Sequence, residues 1–404
     1  MVYKILIIFV ENNFYMSYKF KFIDLFCGIG GFHIAMKALG GECVFASDID
    51  DKCRINYELN YGIKPFGDIT KINEKDIPQH DVLCAGFPCQ SFSKAGNRLG
   101  FLDKTKGTLF FDVLRIMKEC KPKYAILENV RNLLSHDNGN TWKIIHDSLI
   151  DIGYQVDDEP IIFSPHYIGI PQHRERVFIL CTRNDLPKTD SSVLKNWKDK
   201  NVKCTIDSVL LDDDEISDIS KYKISNNDIE ILKIWNEFIQ NIKCEKLPSF
   251  PIWSSYFIDE DNGVYPDWKR KFIDNNINLY KTNKVFIDKW LVNAKKYKSF
   301  DGAKAKLEWQ GGQTKTPNIF NQLIQFRPSG VRVKRNDYFP ALVAITQTSI
   351  IGSRLRYLTP RECARLQGFP DTYICTPNDR DAYRQFGNSV NVEVVKLIGE
   401  ILFR

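Results

Sequence analysis

Short apolar runs alternate with segments of helical period between residues 20 and 185. Each pair of neighbouring runs encloses one helix-like segment, which is the pattern of strands joined by crossover helices. It predicts an α/β fold in which helices cover both faces of a mostly parallel sheet. The predicted strands are Phe22–Phe26, Cys43–Ala46, Val82–Ala85, Tyr124–Leu127 and Val177–Cys181, and the predicted helices are Phe32–Leu39, Lys52–Tyr61, Leu109–Glu119 and Trp142–Ile152.

The chain changes character near Arg183. From there to about Thr348 it is rich in Lys, Asp and Asn and has no clear period, which predicts a smaller, irregular second domain. Helical patterns resume at Leu358–Gln367 and Val390–Leu402, the first with the N-cap, proline and glutamate of a helix start at 359–362. The expected divisions are an N-terminal extension (1–19), a first domain (20–185), a second domain (186–348) and a C-terminal return to the first domain (349–404).

Composition narrows the class of protein only a little. The chain of 404 residues has 43% hydrophobic and 26% charged residues, as ordinary globular proteins do. The early apolar run Ile5–Val10 is too short to span a bilayer, so we expect a cytoplasmic protein. Eleven cysteines without a C-x-x-C pair predict neither a disulfide framework nor a metal site. A formal charge of +6 is compatible with a polyanionic partner but does not require one.

A glycine-rich turn, with Gly28 and Gly31, follows the first predicted strand. Glycines there let a ligand approach the backbone closely. Asp48, after the next strand, can hold two ribose hydroxyls, and Asp68, after a third, can accept from an adenine amino group. Because no Lys or Arg stands beside them to bind phosphate, the pattern favours adenosine without phosphates, of which S-adenosylmethionine is the commonest cofactor. A plain tight turn is the alternative.

Cys89 stands after another predicted strand, on a turn fixed by Pro88. The run is Gly-Phe-Pro-Cys-Gln-Ser-Phe-Ser (86–93). A thiolate at this position could act as a nucleophile that faces a cleft. The usual role of a free cysteine is structural, and that is the alternative for Cys89 taken alone.

Glu128 ends the strand Tyr124–Leu127, at the same expected edge of the sheet. A carboxyl group there could hydrogen-bond a substrate ring, whereas the alternative is a solvated surface residue. Arg174 and Arg176, in Gln-His-Arg-Glu-Arg (172–176), could reach a base carbonyl, a phosphate or Glu128. The alternative for the two arginines is a turn held by salt bridges.

Together these motifs resemble those of the DNA (cytosine-5) methyltransferases, most closely the compact bacterial enzymes of restriction-modification systems. The set begins with Phe-Ile-Asp-Leu-Phe-Cys-Gly-Ile-Gly-Gly (22–31) and continues through the motifs above and Glu-Asn-Val (128–130). It ends with Arg-Glu-Cys-Ala-Arg-Leu-Gln-Gly-Phe-Pro (361–370) and Gln-Phe-Gly-Asn-Ser-Val (385–390). The resemblance covers residues 20–182 and 355–404, and it implies a Rossmann-like fold that uses S-adenosylmethionine.

The resemblance also implies roles for particular residues. Cys89 would attack C6 of a cytosine flipped out of duplex DNA. Glu128 would hydrogen-bond the ring at N3 and at the exocyclic amine, and Arg176 would contact O2, with Arg174 in support. The residues expected to hold S-adenosylmethionine are Phe26, Gly28, Ile29, Gly31, Asp48, Ile49, Asp68, Ile69, Gly86, Pro88, Leu109, Asn388 and Val390.

DNA contacts are expected from two parts of the chain. Residues 91–107 resemble the family's mobile loop, and the second domain should recognise the target sequence. In that domain the basic runs Trp268–Lys271 and Arg327–Arg335 are candidates for phosphate or base contacts, although most such runs are solvated faces. The individual residues expected to touch DNA are Gln90, Ser93, Lys104, Lys106, Arg332 and Arg335.

Two rival functions share this resemblance. One branch of the family methylates transfer RNA, but it favours a Pro-Pro-Cys turn, whereas this chain has Phe87-Pro88-Cys89. A DNA-binding relative without turnover would not need Cys89, Glu128 and Arg176. We therefore expect a monomeric enzyme that acts on double-stranded DNA without a metal, with a cognate restriction endonuclease acting separately.

Overall fold

The computed structural model of the protein describes residues 20–88, 109–200, 202–343 and 348–403. Strands and helices alternate through its first half, as the apolar pattern predicts. The strands there are β1 Phe20–Leu25, β2 Gly41–Ser47, β3 Val82–Ala85, β4 Tyr124–Val130, β5 Tyr154–Gln155, β6 Ile161–Phe163, β7 Gln172–His173 and β8 Arg176–Arg183. The helices are α1 Gly31–Ala38, α2 Asp51–Tyr61, α3 Leu109–Cys120 and α4 Asn140–Asp151.

The second half contains two long helices, α6 and α7, and a second sheet. Its helices are α5 Ser192–Lys195, α6 Asn226–Asn241, α7 Asp267–Ala294, α8 Pro360–Leu366, α9 Asp379–Asn388 and α10 Val392–Leu402. Its strands are β9 Ile252–Trp253, β10 Lys306–Gln310, β11 Leu323–Arg327, β12 Gly330–Lys334, β13 Phe339–Pro340, β14 Ile350–Ile351 and β15 Arg356–Tyr357.

The first sheet has seven strands in the order β2-β1-β3-β4-β8-β5, with β6 also paired to β8. The pairs β1–β2, β1–β3 and β3–β4 are parallel. Only β8 runs against its neighbours, since β4, β5 and β6 all pair with it antiparallel. The predicted mostly parallel sheet is confirmed. The strand expected before Asp68 is reduced to a single bridge between Ser47 and Phe66.

Helices cover both faces of this sheet. Along β1 the side chain of Phe22 enters one core and that of Ile23 the other, as the two-residue period of a strand requires. Helices α1 and α10 close the first core, and α3 and α4 close the second. Continuous apolar strands are therefore the consequence of burial on both sides.

The later part of the chain contains a second sheet. It therefore has more regular secondary structure than its polar sequence without a clear period predicted. Its strand order is β15-β14-β11-β12-β10-β9, and α6 and α7 pack against it in a separate core. Strands β14 and β15 lie beyond the expected boundary at residue 348, and Leu194 and Ile206 still belong to the first core. Phe339 and Leu342 belong to the first core as well, so the two cores share this stretch of the chain, and the boundaries expected at 186 and 348 stay a prediction.

A buried ion pair joins the two cores. Arg356 on β15 and Glu362 in α8 are 0% exposed, with Nη2 and Oε1 at 2.8 Å. Thr359 caps α8 and its backbone N–H donates to Glu362 Oε2, so the predicted helix start is confirmed. Leu211 completes the cluster, because its N–H donates to Glu362 and its carbonyl accepts from Arg356.

We predict that Arg356→Ala lowers the free energy of unfolding by about 3–5 kcal/mol, because removal of one partner leaves the Glu362 carboxylate buried and unpaired. Urea unfolding measures the change. Arg335→Ala is the control: Arg335 is 61% exposed and pairs with Asp337 at 3.3 Å, so a loss within about 0.5 kcal/mol is expected. Glu362→Gln should also destabilise the protein, and equal stability of all variants would contradict the assigned role.

Candidate active site

The parallel strands of the first sheet end along one edge. Strands β1 to β4 run in the same direction, so the residues that follow them lie side by side where open α/β sheets bind ligands. The glycine-rich turn follows β1, Asp48 follows β2, Gly86 follows β3, and Glu128 lies near the end of β4. The sheet itself thus brings these predicted site residues together.

Asp48 closes the glycine-rich turn. Its two carboxylate oxygens accept from the backbone N–H groups of Gly28 and Asp50, each at 2.8 Å. Gly28 has a φ of 51° and Phe26 a φ of 55°. This left-handed conformation costs about 1–2 kcal/mol for a non-glycine residue such as Phe26. Burial raises the pKa of Asp48, and the two N–H donors oppose the rise.

Gly31 is held by close packing. A side-chain carbon at Gly31 would lie 2.7 Å from Val390 Cγ2 and 2.8 Å from Ser389 Oγ. The same valine lies 3.9 Å from the corresponding point on Gly86. Val390 therefore packs against two turns of the carboxyl edge at once, although it is far from both in sequence.

An apolar surface lies open beside Asp48. The side chain of Ile49 is 74% exposed and that of Phe66 is 56% exposed. Phe66 stacks on Phe45 with ring centroids 4.9 Å apart. Sequence reasoning assigned no role to Phe66, which lies in the single bridge to Ser47 that stands where a strand was expected before Asp68.

The remaining predicted cofactor residues lie in several elements and differ in exposure. Asp68 begins a short 3-10 helix, and its Oδ1 accepts from the N–H and the hydroxyl of Thr70. Ile69 and Ile29 are buried. At the rim, Asn388 is exposed and Leu109 is partly buried, at the end of α9 and the start of α3 respectively.

Glu128 and Arg176 form an ion pair at the end of β4. Arg176 Nε lies 3.1 Å from Glu128 Oε1, and the side chains are 19% and 12% exposed. Burial raises the pKa of Glu128, and the positive charges of Arg176 and Arg174 oppose the rise. A carboxyl group with a raised pKa and one open side can donate a hydrogen bond as well as accept one.

The turn after β3 is fastened to β4 beside this pair. Asn129 Nδ2 donates to the carbonyl of Phe87 at 2.9 Å, and a side-chain carbon at Gly86 would lie 3.6 Å from Glu128 Oε2. Pro88 is exposed. Sequence reasoning gave Asn129 no role, although it stands in the Glu-Asn-Val motif. Five predicted site residues lie outside the described ranges, namely Cys89, Gln90, Ser93, Lys104 and Lys106.

Arg174 is buried behind the pair. Its guanidinium donates to the carbonyls of Leu342, Gly387 and Ser389, each at 2.9 Å. Burial lowers the pKa of Arg174, but three carbonyl acceptors favour the charged form. Arg174 was expected to support Glu128, and its positive charge does oppose the rise in the pKa of that carboxyl group, while its hydrogen bonds go to the backbone of two distant segments. It is 3% exposed, so its role here is to hold the edge together.

The predicted DNA-reading arginines lie on and after a β-hairpin of the second sheet, β11 and β12. Arg332 faces Glu308 on β10, with Nη2 and Oε2 at 2.7 Å, and its side chain is 26% exposed. Arg335 is 61% exposed and lies 3.3 Å from Asp337. The basic run Arg327–Arg335 thus lies on a hairpin, but Arg332 has a carboxylate partner that any base would have to replace.

The residues that the structure describes contain neither a helix able to span a membrane nor a cluster of metal-ligating side chains. Over these residues, no helix combines the length and the apolar character needed to cross a membrane. The same part of the chain contains no group of three or more His, Cys, Asp or Glu side chains placed to hold a metal ion.

Solved structures with the same architecture are methyltransferases. The S. pombe Dnmt2 methyltransferase matches with a TM-score of 0.53 and 20% identity, over 95% of this chain and 98% of that one. The Entamoeba histolytica methyltransferase EhMeth also has a TM-score of 0.53, with 19% identity over 96% and 98%. The fold is thus the α/β fold of an S-adenosylmethionine-dependent methyltransferase, as the motifs implied.

The sequence comparisons show the family. The family model for C-5 cytosine-specific DNA methylases matches residues 20–404. Type II methyltransferase M.HhaI of Haemophilus parahaemolyticus is 32% identical over 378 residues, which are 94% of this chain and 92% of that protein. Type II methyltransferase M.HpaII of Haemophilus parainfluenzae is 35% identical over 393 residues, 96% and 91% of the two chains. The chain belongs to the C-5 cytosine-specific DNA methylase family.

We predict that Gly31→Ala destabilises the protein by about 1–3 kcal/mol, because the added carbon would push Val390 and Ser389 away from the turn. Without that clash, alanine would favour the helix by about 1 kcal/mol. Gly67→Ala is the matched control, since its added carbon would meet only Arg54 Nη1, at 3.8 Å. Denaturant unfolding of both variants decides the matter, and an unchanged or stabilised Gly31→Ala would refute the packing argument.

Proposed function

We propose that the protein transfers a methyl group from S-adenosylmethionine to C5 of a cytosine in a specific duplex DNA sequence. The observation that carries the proposal is the attachment of the Phe87–Pro88 turn to β4, beside the Glu128–Arg176 pair. That turn leads directly to Cys89. A nucleophile and a ring-binding acid would thereby face one substrate base.

The residues at the carboxyl edge fit an adenosine cofactor. Asp48 offers carboxylate oxygens at the mouth of the glycine-rich turn, and Ile49 and Phe66 offer an exposed apolar surface for the adenine. Open space above Gly28 leaves room for the ligand. When bound, S-adenosylmethionine supplies the methyl group as a sulfonium electrophile. The other residues proposed to hold it are Phe26, Ile29, Gly31, Asp68, Ile69, Gly86, Pro88, Leu109, Asn388 and Val390.

The proposed chemistry makes C5 nucleophilic. The Cys89 thiolate adds to C6, the Sγ–C6 bond forms, and the electrons of the C5=C6 double bond become available at C5. Glu128, with its pKa raised by burial, donates to N3 and stabilises the electron-rich ring. C5 takes the methyl group from the sulfonium, which keeps the electrons of the broken C–S bond and leaves as S-adenosylhomocysteine. The C5 proton then passes to water, and the electrons of the C5–H bond restore the C5=C6 double bond as the Sγ–C6 bond breaks and releases the thiolate.

Arg176 would bind the cytosine O2 while it remains paired with Glu128. Arg174 acts as a positioning residue, because it hydrogen-bonds the segments on either side of the edge and not the substrate. Since the thiolate must approach the face of the base, the cytosine must leave the helical stack by flipping.

Sequence recognition is proposed for the second domain, residues 186–348 with β14 and β15. The β11–β12 hairpin would present Arg332 and Arg335 to base edges or phosphates, and Gln90, Ser93, Lys104 and Lys106 would contact the DNA around the flipped base. We further propose a monomer in the cytoplasm whose cognate restriction endonuclease acts separately. The names of the type II relatives support the restriction-modification context alone.

The function is tested with Cys89→Ser. Bisulfite sequencing of plasmid DNA from cells that express the wild type should first reveal the methylated sequence. A duplex with 5-fluorocytosine at that site should then trap the wild type covalently, because fluorine cannot leave C5 as a proton does. Cys89→Ser should neither methylate nor be trapped, since a hydroxyl is far less nucleophilic than a thiolate.

The matched control is Cys244→Ser, which removes an exposed thiol of the second core and should keep full trapping. Peptide mapping should place the adduct on Cys89. Trapping that persists in Cys89→Ser would show that another thiol is the nucleophile. Label that appears only in transfer RNA would contradict the DNA substrate.

We predict that Asp48→Asn weakens binding of S-adenosylmethionine by about 1–3 kcal/mol, because an amide cannot satisfy the N–H groups of the turn and the ribose hydroxyls together. Calorimetry without DNA measures the affinity. Asp76→Asn, an exposed acid in another short helix, should bind as the wild type does. Equal affinity of the two variants would refute the nucleoside pocket.

A further inference from the structure

The excess positive charge of the chain is concentrated in one segment, residues 267–298. This segment, called the basic segment below, contains α7 and carries nine Lys or Arg and three Asp. Subtracting these from the 56 basic and 50 acidic residues of the chain leaves 47 of each. The whole formal charge of +6 is thus accounted for by 32 residues.

Most of this charge has no carboxylate partner. Among the described residues, only Arg270 and Lys284 of the basic segment form ion pairs, with Asp261 and Asp274 and with Asp259. The Asp288 carboxylate accepts from the hydroxyl of Tyr280 at 2.9 Å. Two of the three acids of the segment, Asp274 and Asp288, are therefore already engaged within the protein.

The unpaired lysines form a stripe along the exposed side of α7. Lys271, Lys281, Lys289 and Lys296 are all exposed, and they follow one another at intervals of 10, 8 and 7 residues, near three, two and two helical turns. The opposite side of the helix is buried through Ile273, Ile277, Ile287 and Trp290. Lys296 lies just beyond α7, which ends at Ala294 and departs from helical geometry at Asn283. At about 1.5 Å per residue, the part of the stripe within α7, from Lys271 to Lys289, is about 27 Å long.

The stripe lies far from the catalytic core. Asn276 of α7 accepts from the N–H of Trp253 at 2.8 Å, so the helix is attached to β9. Strand β9 is one end of the second sheet, and β15, which leads to the first core, is the other. Five strand spacings separate them, about 24 Å, or about seven base pairs of duplex.

We propose that the lysine stripe of α7 binds the phosphate backbone of duplex DNA outside the recognition sequence. The proposal rests on duplex DNA being the substrate, as argued above. Lysine is suited to phosphate as a point charge and carries no base specificity. The surface would strengthen binding to long DNA and leave the choice of sequence unchanged. Arg270 of the run Trp268–Lys271 does not take part, because its two aspartates hold it.

The test compares two duplexes that share the methylated site, one of about 12 base pairs and one of about 40. The variant changes all four lysines of the stripe to Gln. On the long duplex, the slope of log affinity against log salt concentration should fall in magnitude by about 0.9 for each phosphate that the variant no longer neutralises, up to about 3.6. On the short duplex, affinity and single-turnover methylation should match the wild type.

A control with four Lys→Gln changes on the first domain, at exposed positions without ion pairs, should keep the wild-type slope; the positions are Lys37, Lys75, Lys118 and Lys143. Circular dichroism and unfolding show that both variants fold. Equal slopes for the wild type and the stripe variant would overturn the proposal, as would an equal fall in affinity on both duplexes. Binding needs no turnover, so a wild type that binds long DNA through the stripe but methylates nothing would refute only the proposed function.

Discussion

The buried ion pair between Arg356 and Glu362 fixes how the chain leaves the first core and returns to it. Two charges without solvent are tolerated only where neighbouring groups satisfy their remaining donors and acceptors. Here the backbone of Leu211 and Thr359 and the carboxylate of Asp213 do so. Leu211 precedes the second core, and Arg356 lies on the last strand of the second sheet, 145 residues later. The pair therefore closes the base of the whole second domain.

Arg174 repeats this arrangement at the carboxyl edge. Its guanidinium holds Leu342 from the end of the second domain and Gly387 and Ser389 from the C-terminal segment. Val390, next to Ser389, packs against the glycine-rich turn and against Gly86. The cofactor side and the substrate side of the proposed site are thus supported by one buried cation, although the second domain separates their residues in sequence. A shift of Arg174 would therefore move the segment that carries Val390 and its contacts with both turns.

Local patterns determined the central strands of the first sheet because β1, β3 and β4 are largely buried. Val82–Ala85 was predicted with the bounds that the structure shows, and the cap at Thr359 was predicted from four consecutive residues. The second sheet was not predicted because its strands are short and pair with strands that are distant in sequence, as β9 does with β10. For the same reason Ile350 and Ile351, which pair with β11, are not recognisable as strand residues from their neighbours.

The sequence by itself determined which chemistry stands at the strand ends: Asp48 after β2, Gly86 after β3 and Glu128 on β4 follow from the order of apolar runs, since parallel strands share one edge. Only the tertiary structure decided the partners of the charged side chains. Arg174 donates to backbone carbonyls, and Arg332 forms an ion pair with Glu308. These choices depend on side chains from separate elements meeting in space, and the Coulomb and desolvation energies that govern them are set by distance and burial, which no local pattern records.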